Sequence, residues 1–132
     1  MTASDEAVDW RKLREFAGVD LVKSFVLSWG IHRGTLSIDV DLFLTSEHPF
    51  YEKPRPAEKV CIRPAIVEFP YCEAVVVDGA PVDEPLADTV ARLDVGAIGG
   101  LIRMHDGPYE ISGDFGTVRI DAERPILRLR GP

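Results

Sequence analysis

The chain has 132 residues, 45% of them hydrophobic and 28% charged, with a formal net charge of −7 at pH 7. Such a chain is read as one folded domain over residues 1–132, able to bury about two-thirds of its unfolded surface without a metal or disulfide staple. Its acidity disfavours nucleic-acid phosphates and anionic membranes as partners, and no run approaches the roughly 20 apolar residues of a bilayer span.

The opening "MTASDEAVDWRKLREF" lacks a basic end followed by an apolar run, so no secretory signal is expected. Instead, residues 5–17 read as a helix with Ser4 as N-cap and Gly18 as the C-terminal stop. Trp10, Leu13, Phe16 and Ala17 form its apolar stripe. From Leu21 the period changes to two. Phe25, Leu27 and Trp29 alternate with Ser24, Val26 and Ser28; Leu36, Ile38, Val40, Leu42 and Leu44 alternate with Ser37, Asp39, Asp41, Phe43 and Thr45. With "GIHRG" as the turn, matching apolar faces predicts the pairs Trp29–Leu36, Leu27–Ile38 and Phe25–Val40.

Residues 46–59 hold Pro49, Pro54 and Pro56 among charges and read as a surface loop. Strands over 60–69 and 71–78 follow, expected to form a hairpin about Pro70. On that reading Cys72 lies far from Cys61, and the two are reduced, buried thiols of a cytoplasmic protein. A short helix with Leu86, Val90 and Leu93 on its apolar side comes next. Residues 95–104 return to strand, with Gly96, Gly99 and Gly100 marking a bulge or bend. The end, "PYEISGDFGTVRIDAERPILRLR", reads as a three-strand meander with buried rows Tyr109–Ile120–Leu127 and Ile111–Val118–Leu129. Its outer face would then gather Arg119, Arg128 and Arg130 beside Glu110.

Candidate chemistry is sparse. Asp39 and Asp41 share one strand face, about 7 Å apart, opposite the apolar row, so they are read as the solvent side and no metal site is assigned. His32, His48 and His105 fall in turns or loops without a catalytic motif. No G-x-S-x-G appears, and "GAIGG" lacks the lysine and spacing of a phosphate loop. Three groups remain as binding candidates. Residues 68–94 hold seven acids against one base, with Asp83, Glu84 and Asp88 at their centre. Phe50 and Tyr51 are aromatics in the polar "HPFYEKP" loop. The arginines Arg119, Arg128 and Arg130 would suit an anion.

The stretch "YEISGDFGTVRIDAERPILRLR" is similar to the closing strands of small uncharacterised bacterial domains, including immunity-protein families that neutralise a toxin by binding it. The resemblance covers about the last quarter of the chain, carries no site residue with it, and implies a mainly β domain that works by binding. The expected fold is α+β, mainly antiparallel: about eight strands in a bent sheet or two-layer sandwich, with an N-terminal helix and a short second helix. The expected function is a binding module for a protein with a basic surface, without cofactor. The alternatives are a small enzyme or ligand-binding protein using His48 or His105 with Asp39, Asp41 or Asp106, and a structural subunit that forms a homodimer.

Overall fold

Alternating apolar and polar residues dominate the chain, and the computed structural model, which describes residues 7–53, 61–79, 84–105 and 107–130, builds them into nine strands. They are β1 (Val8–Asp9), β2 (Val19–His32), β3 (Thr35–Leu44), β4 (Cys61–Phe69), β5 (Ala74–Val77), β6 (Gly96–Arg103), β7 (Tyr109–Gly113), β8 (Gly116–Asp121) and β9 (Ile126–Leu129). One helix, α1 (Leu86–Ala91), lies between β5 and β6. Every pairing is antiparallel, in the order β5-β8-β7-β6-β2-β3-β4-β9, with β1 added on β6.

β6 is the joint of this sheet. Gly96 and Ala97 at its start pair with Val26 and Phe25 of β2, while Ile102 and Arg103 at its end pair with Asp9 and Val8 of β1. A register shift between Ile98 and Gly100 bends it, as its glycines predict. Two wings result, and aromatic pairs bridge them. Phe69 of β4 meets Tyr109 of β7 edge to face at 5.3 Å, and Trp29 of β2 meets Phe115 at 5.4 Å. The core lies between. Its most regular wall is β3, where Leu36, Ile38, Val40, Leu42 and Leu44 are at most 1% exposed. Each such side chain stabilises the fold by about 1.5–3 kcal/mol relative to exposure.

The described part of the expected N-terminal helix is not a helix. Val8 and Asp9 extend along β6, and two 3-10 turns follow, Trp10–Lys12 and Arg14–Phe16. Asp9 caps the first by accepting the Arg11 N–H at 3.1 Å, and Leu13 between them is extended. Trp10, Leu13 and Phe16 are all buried, and their spacing of three suits the three-residue turn of a 3-10 helix. The stripe was legible and its period misread. Gly18, with φ +78, leads from these turns into β2 instead of ending a helix.

Three pairings also differ from expectation. The β2–β3 turn is a two-residue one, Arg33–Gly34, both at positive φ as a type I′ turn requires, so Ile31, not Trp29, faces Leu36. β4 and β5 do not form a hairpin. The chain turns a corner at Pro70–Tyr71, where the Cys72 N–H donates to the Gly34 carbonyl at 2.7 Å, and β5 pairs with β8. Both thiols are free and buried. At the end, Tyr109–Ile120 and Ile111–Val118 pair as predicted, but β9 leaves β8 and crosses to β4. Leu127 and Leu129 therefore stand opposite Val67 and Ala65. The turn "AERP" is a crossing: the Glu123 N–H donates to the Pro70 carbonyl at 2.9 Å, holding the connection against the other wing.

Candidate functional site

β2 is the longest strand, and it changes face twice. Val19 and Leu21 point inward, then Val22 and Lys23 are both exposed, and Ser24 and Val26 point inward. Leu27 and Ser28 are again both exposed before Trp29 and Ile31 turn back towards the core. These places coincide with register shifts against β3, between Asp20 and Phe25 and between Val26 and Ser28. The first adds three residues to β2 relative to β3 and the second adds one, and each odd insertion inverts the alternation. Ser24 fills the first. Fully buried, its hydroxyl accepts the Phe43 N–H at 2.9 Å and donates to the Asp20 carbonyl at 2.9 Å. Backbone groups that the bulge pulls out of the ladder thus keep a partner.

The consequence is an outward-facing apolar surface. Phe25 and Leu27, expected inside, are 47% and 50% exposed, and Val26 takes the core position. Phe25 lies opposite Asp41, which lies opposite Pro64; Ser28 lies opposite Asp39, which lies opposite Ile66. Phe43 faces Ile62, itself 46% exposed. On β9, Ile126 is 43% exposed across from Glu68. Four of the large exposed apolar side chains thus belong to one face of β2-β3-β4-β9, which also carries the two aspartates. Soluble domains seldom leave such a group contiguous without a contact to make.

Charged side chains on this face have defined partners. Asp39 accepts a hydrogen bond from the Ser28 hydroxyl at 2.8 Å, which fixes its orientation. The Lys23 ammonium sits over the Phe43 ring at 5.0 Å. Arg128 pairs with Glu68 towards β9. Asp39 and Asp41 stand where the sequence puts them, on the face opposite the buried row.

The other candidates disperse. Glu84 accepts from the Thr89 hydroxyl at 3.2 Å and pairs with Arg92, while Asp88 on α1 is exposed and Asp83 lies outside the described residues. Asp78 spends its carboxylate on the Thr117 N–H at 2.9 Å. Among the described residues of the acid run, Glu84 and Asp78 thus have partners, and Glu73, Asp88 and Asp94 are exposed. Phe50 is exposed, and Tyr51 packs against the core. His48 in the same loop accepts the Phe50 N–H on Nδ1 at 3.0 Å, and burial, followed by the nearby Arg63 guanidinium, holds it below the usual imidazole range. The arginine trio separates, because the crossing of β9 takes Arg128 and Arg130 to the other wing while Arg119 stays opposite Glu110. His32 ends β2, His105 follows β6, and Asp106 lies outside the described residues.

Three clefts are lined by described residues. One of about 300 Å³ lies between Trp10, Phe16, Gly18 and Thr45, with Arg11 and Glu47 also in its lining. One of about 210 Å³ runs between β5 and α1, and one of about 160 Å³ lies over Gly100 on the outer face of the other wing. None is lined by His48, His105, Asp39 or Asp41. Among the described residues, no group of three or more His, Cys, Asp or Glu side chains is placed to hold a metal ion.

The apolar outer face was missed in the sequence because its residues fit the wrong phase. One signal did exist: Lys23 falls in phase with Leu21 and Phe25, and a lysine in an inward row marks a slip of register. No described helix is long and apolar enough to cross a membrane. Comparison with known proteins finds no matching family model, no similar curated protein and no similar solved structure.

Proposed function

We propose that this chain is a binding module that recognises a protein with a basic surface through the outer face of β2-β3-β4-β9. The observation that carries the reading is the exposure of Phe25, Leu27, Ile62 and Ile126 on the same sheet face as Asp39 and Asp41. Aromatic and branched side chains supply contact area, and the aspartates supply selectivity. Covering an aspartate is costly unless a cation meets it, so a partner that offers lysine or arginine among apolar groups is favoured over one that does not. The sequence resemblance of the C-terminal stretch to immunity-protein families agrees with binding as the chain's task.

The same charges argue against a symmetric homodimer on this face. A two-fold contact centred on Asp39 and Asp41 sets each aspartate pair against its own copy. The three clefts lined by described residues do not gather the side chains of the enzymatic reading, and they lend it no support.

The test is a matched pulldown at low and high salt from a lysate of the source cells. It compares the wild-type chain with Phe25→Ser/Leu27→Ser and Asp39→Asn/Asp41→Asn. A partner retained by the wild type, weakened by salt and lost from both variants supports the reading. Retention of the same partners by all three chains rejects it.

A further inference from the structure

Among the described residues, the main strand path ends at β5 and at β9, and these two edges are built differently. β9 carries Arg128, is preceded by Pro125 and is followed by Arg130, which are common guards against edge-to-edge pairing. β5 is Ala-Val-Val-Val, with no charge and no proline. On one side it pairs with β8, and no described strand pairs with it on the other.

Backbone directions on β5 follow from its ladder. The Asp78 N–H donates to the Thr117 carbonyl at 2.7 Å, and Val76 is in register with Arg119. In an antiparallel pair, alternate residues direct both backbone groups at the partner strand and the rest direct them away. Ala74 and Val76 therefore face β8, while Val75 and Val77 turn their N–H and C=O groups to the open side. A groove of about 210 Å³ lies between residues 73–76 and α1, with Leu86 and Thr89 on the helix wall and Val77 just beyond it. Two of its lining residues, Glu73 and Glu84, are acidic and none is basic; Arg92 pairs with Glu84, and Glu73 is exposed.

We infer that β5 accepts an extended segment of a partner chain as an additional strand in the groove beside α1, with a basic residue of that segment meeting Glu73. Main-chain bonds to Val75 and Val77 supply the register, an apolar side chain enters towards Leu86, and Glu73 selects for positive charge. This is a second contact of the proposed binding module, and it lies apart from the Phe25–Leu27 face, so the two stand or fall separately.

The probe is an acetylated and amidated peptide, Lys-Val-Thr-Val-Lys, titrated to about 1 mM, the range of weak strand addition. Residue-resolved amide exchange reads the result. The Val75 and Val77 amides are expected to slow several-fold, with those of Ala74 and Val76 unchanged. Val77→Pro, which removes an outward N–H and leaves the β8 ladder intact, is expected to weaken binding about ten-fold. Glu73→Lys, at an exposed position, serves the same end if the proline variant fails to fold. Phe25→Ser/Leu27→Ser is expected to bind the peptide as the wild type does. No slowing at the highest peptide concentration overturns the inference. So does slowing that appears without peptide and grows with protein concentration, which would make the occupant a second copy of the chain.

Discussion

The Ser24 hydroxyl accepts the Phe43 backbone N–H at 2.9 Å inside the first bulge of β2. That bond closes the gap through which Phe25 is turned outward, so the apolar face depends on a buried serine. Ser24→Ala leaves the Phe43 N–H without this acceptor in a buried position, and the expected loss of stability is about 1–3 kcal/mol. Urea unfolding checks it, as a lower midpoint at an unchanged slope.

Gly18 joins the N-terminal turns to β2 at φ +78, and a Cβ there would lie 2.7 Å from the His48 Cα. Both the left-handed backbone and the contact oppose a side chain. Gly18→Ala is expected to cost about 2 kcal/mol or more and to release the loop at residues 45–51. Limited proteolysis of the native variant is expected to cut that loop faster than in the wild type.

His48 gives the loop a pH dependence with a definite sign. Its folded pKa is lowered, so the unfolded chain takes up the proton first as pH falls. Stability is then full above about pH 6.5, declines below it, and levels off once the folded imidazole titrates. The proton also competes with the Phe50 N–H for Nδ1. Between about pH 7.5 and 5.5 the thermal midpoint is expected to fall more steeply for the wild type than for His48→Gln.

Removing the exposed apolar pair has the opposite profile. Phe25→Ser/Leu27→Ser acts on half-exposed side chains and is expected to shift folding stability by less than about 1 kcal/mol while abolishing partner retention. Calorimetry beside the pulldown separates the two effects.

Much of this fold was legible because it rests on period alone. β3, the β7–β8 hairpin, α1 and the bend in β6 follow from alternation, turn glycines and a short amphipathic run. What failed depends on distant contacts. Trp10, Leu13 and Phe16 fit a helix and a pair of 3-10 turns equally well until β6 claims Val8 and Asp9. β9 reads as the third strand of a meander, and only packing with β4 sends it across. The site was hidden for a related reason: two bulges invert β2 twice, and a pattern of period two carries across a bulge without visible error. Asp39 and Asp41 were placed correctly, and their apolar neighbours were placed inside.

The most direct measurement is hydroxyl-radical footprinting of side chains, with and without the captured partner. In the free chain, Phe25 and Leu27 are expected to be oxidised readily and Val26 to be protected. With the partner bound, oxidation of Phe25, Leu27 and Ile62 is expected to fall several-fold, while the highly exposed Tyr71 stays unchanged. Unaltered oxidation of Phe25 and Leu27 in the complex would contradict recognition through this face.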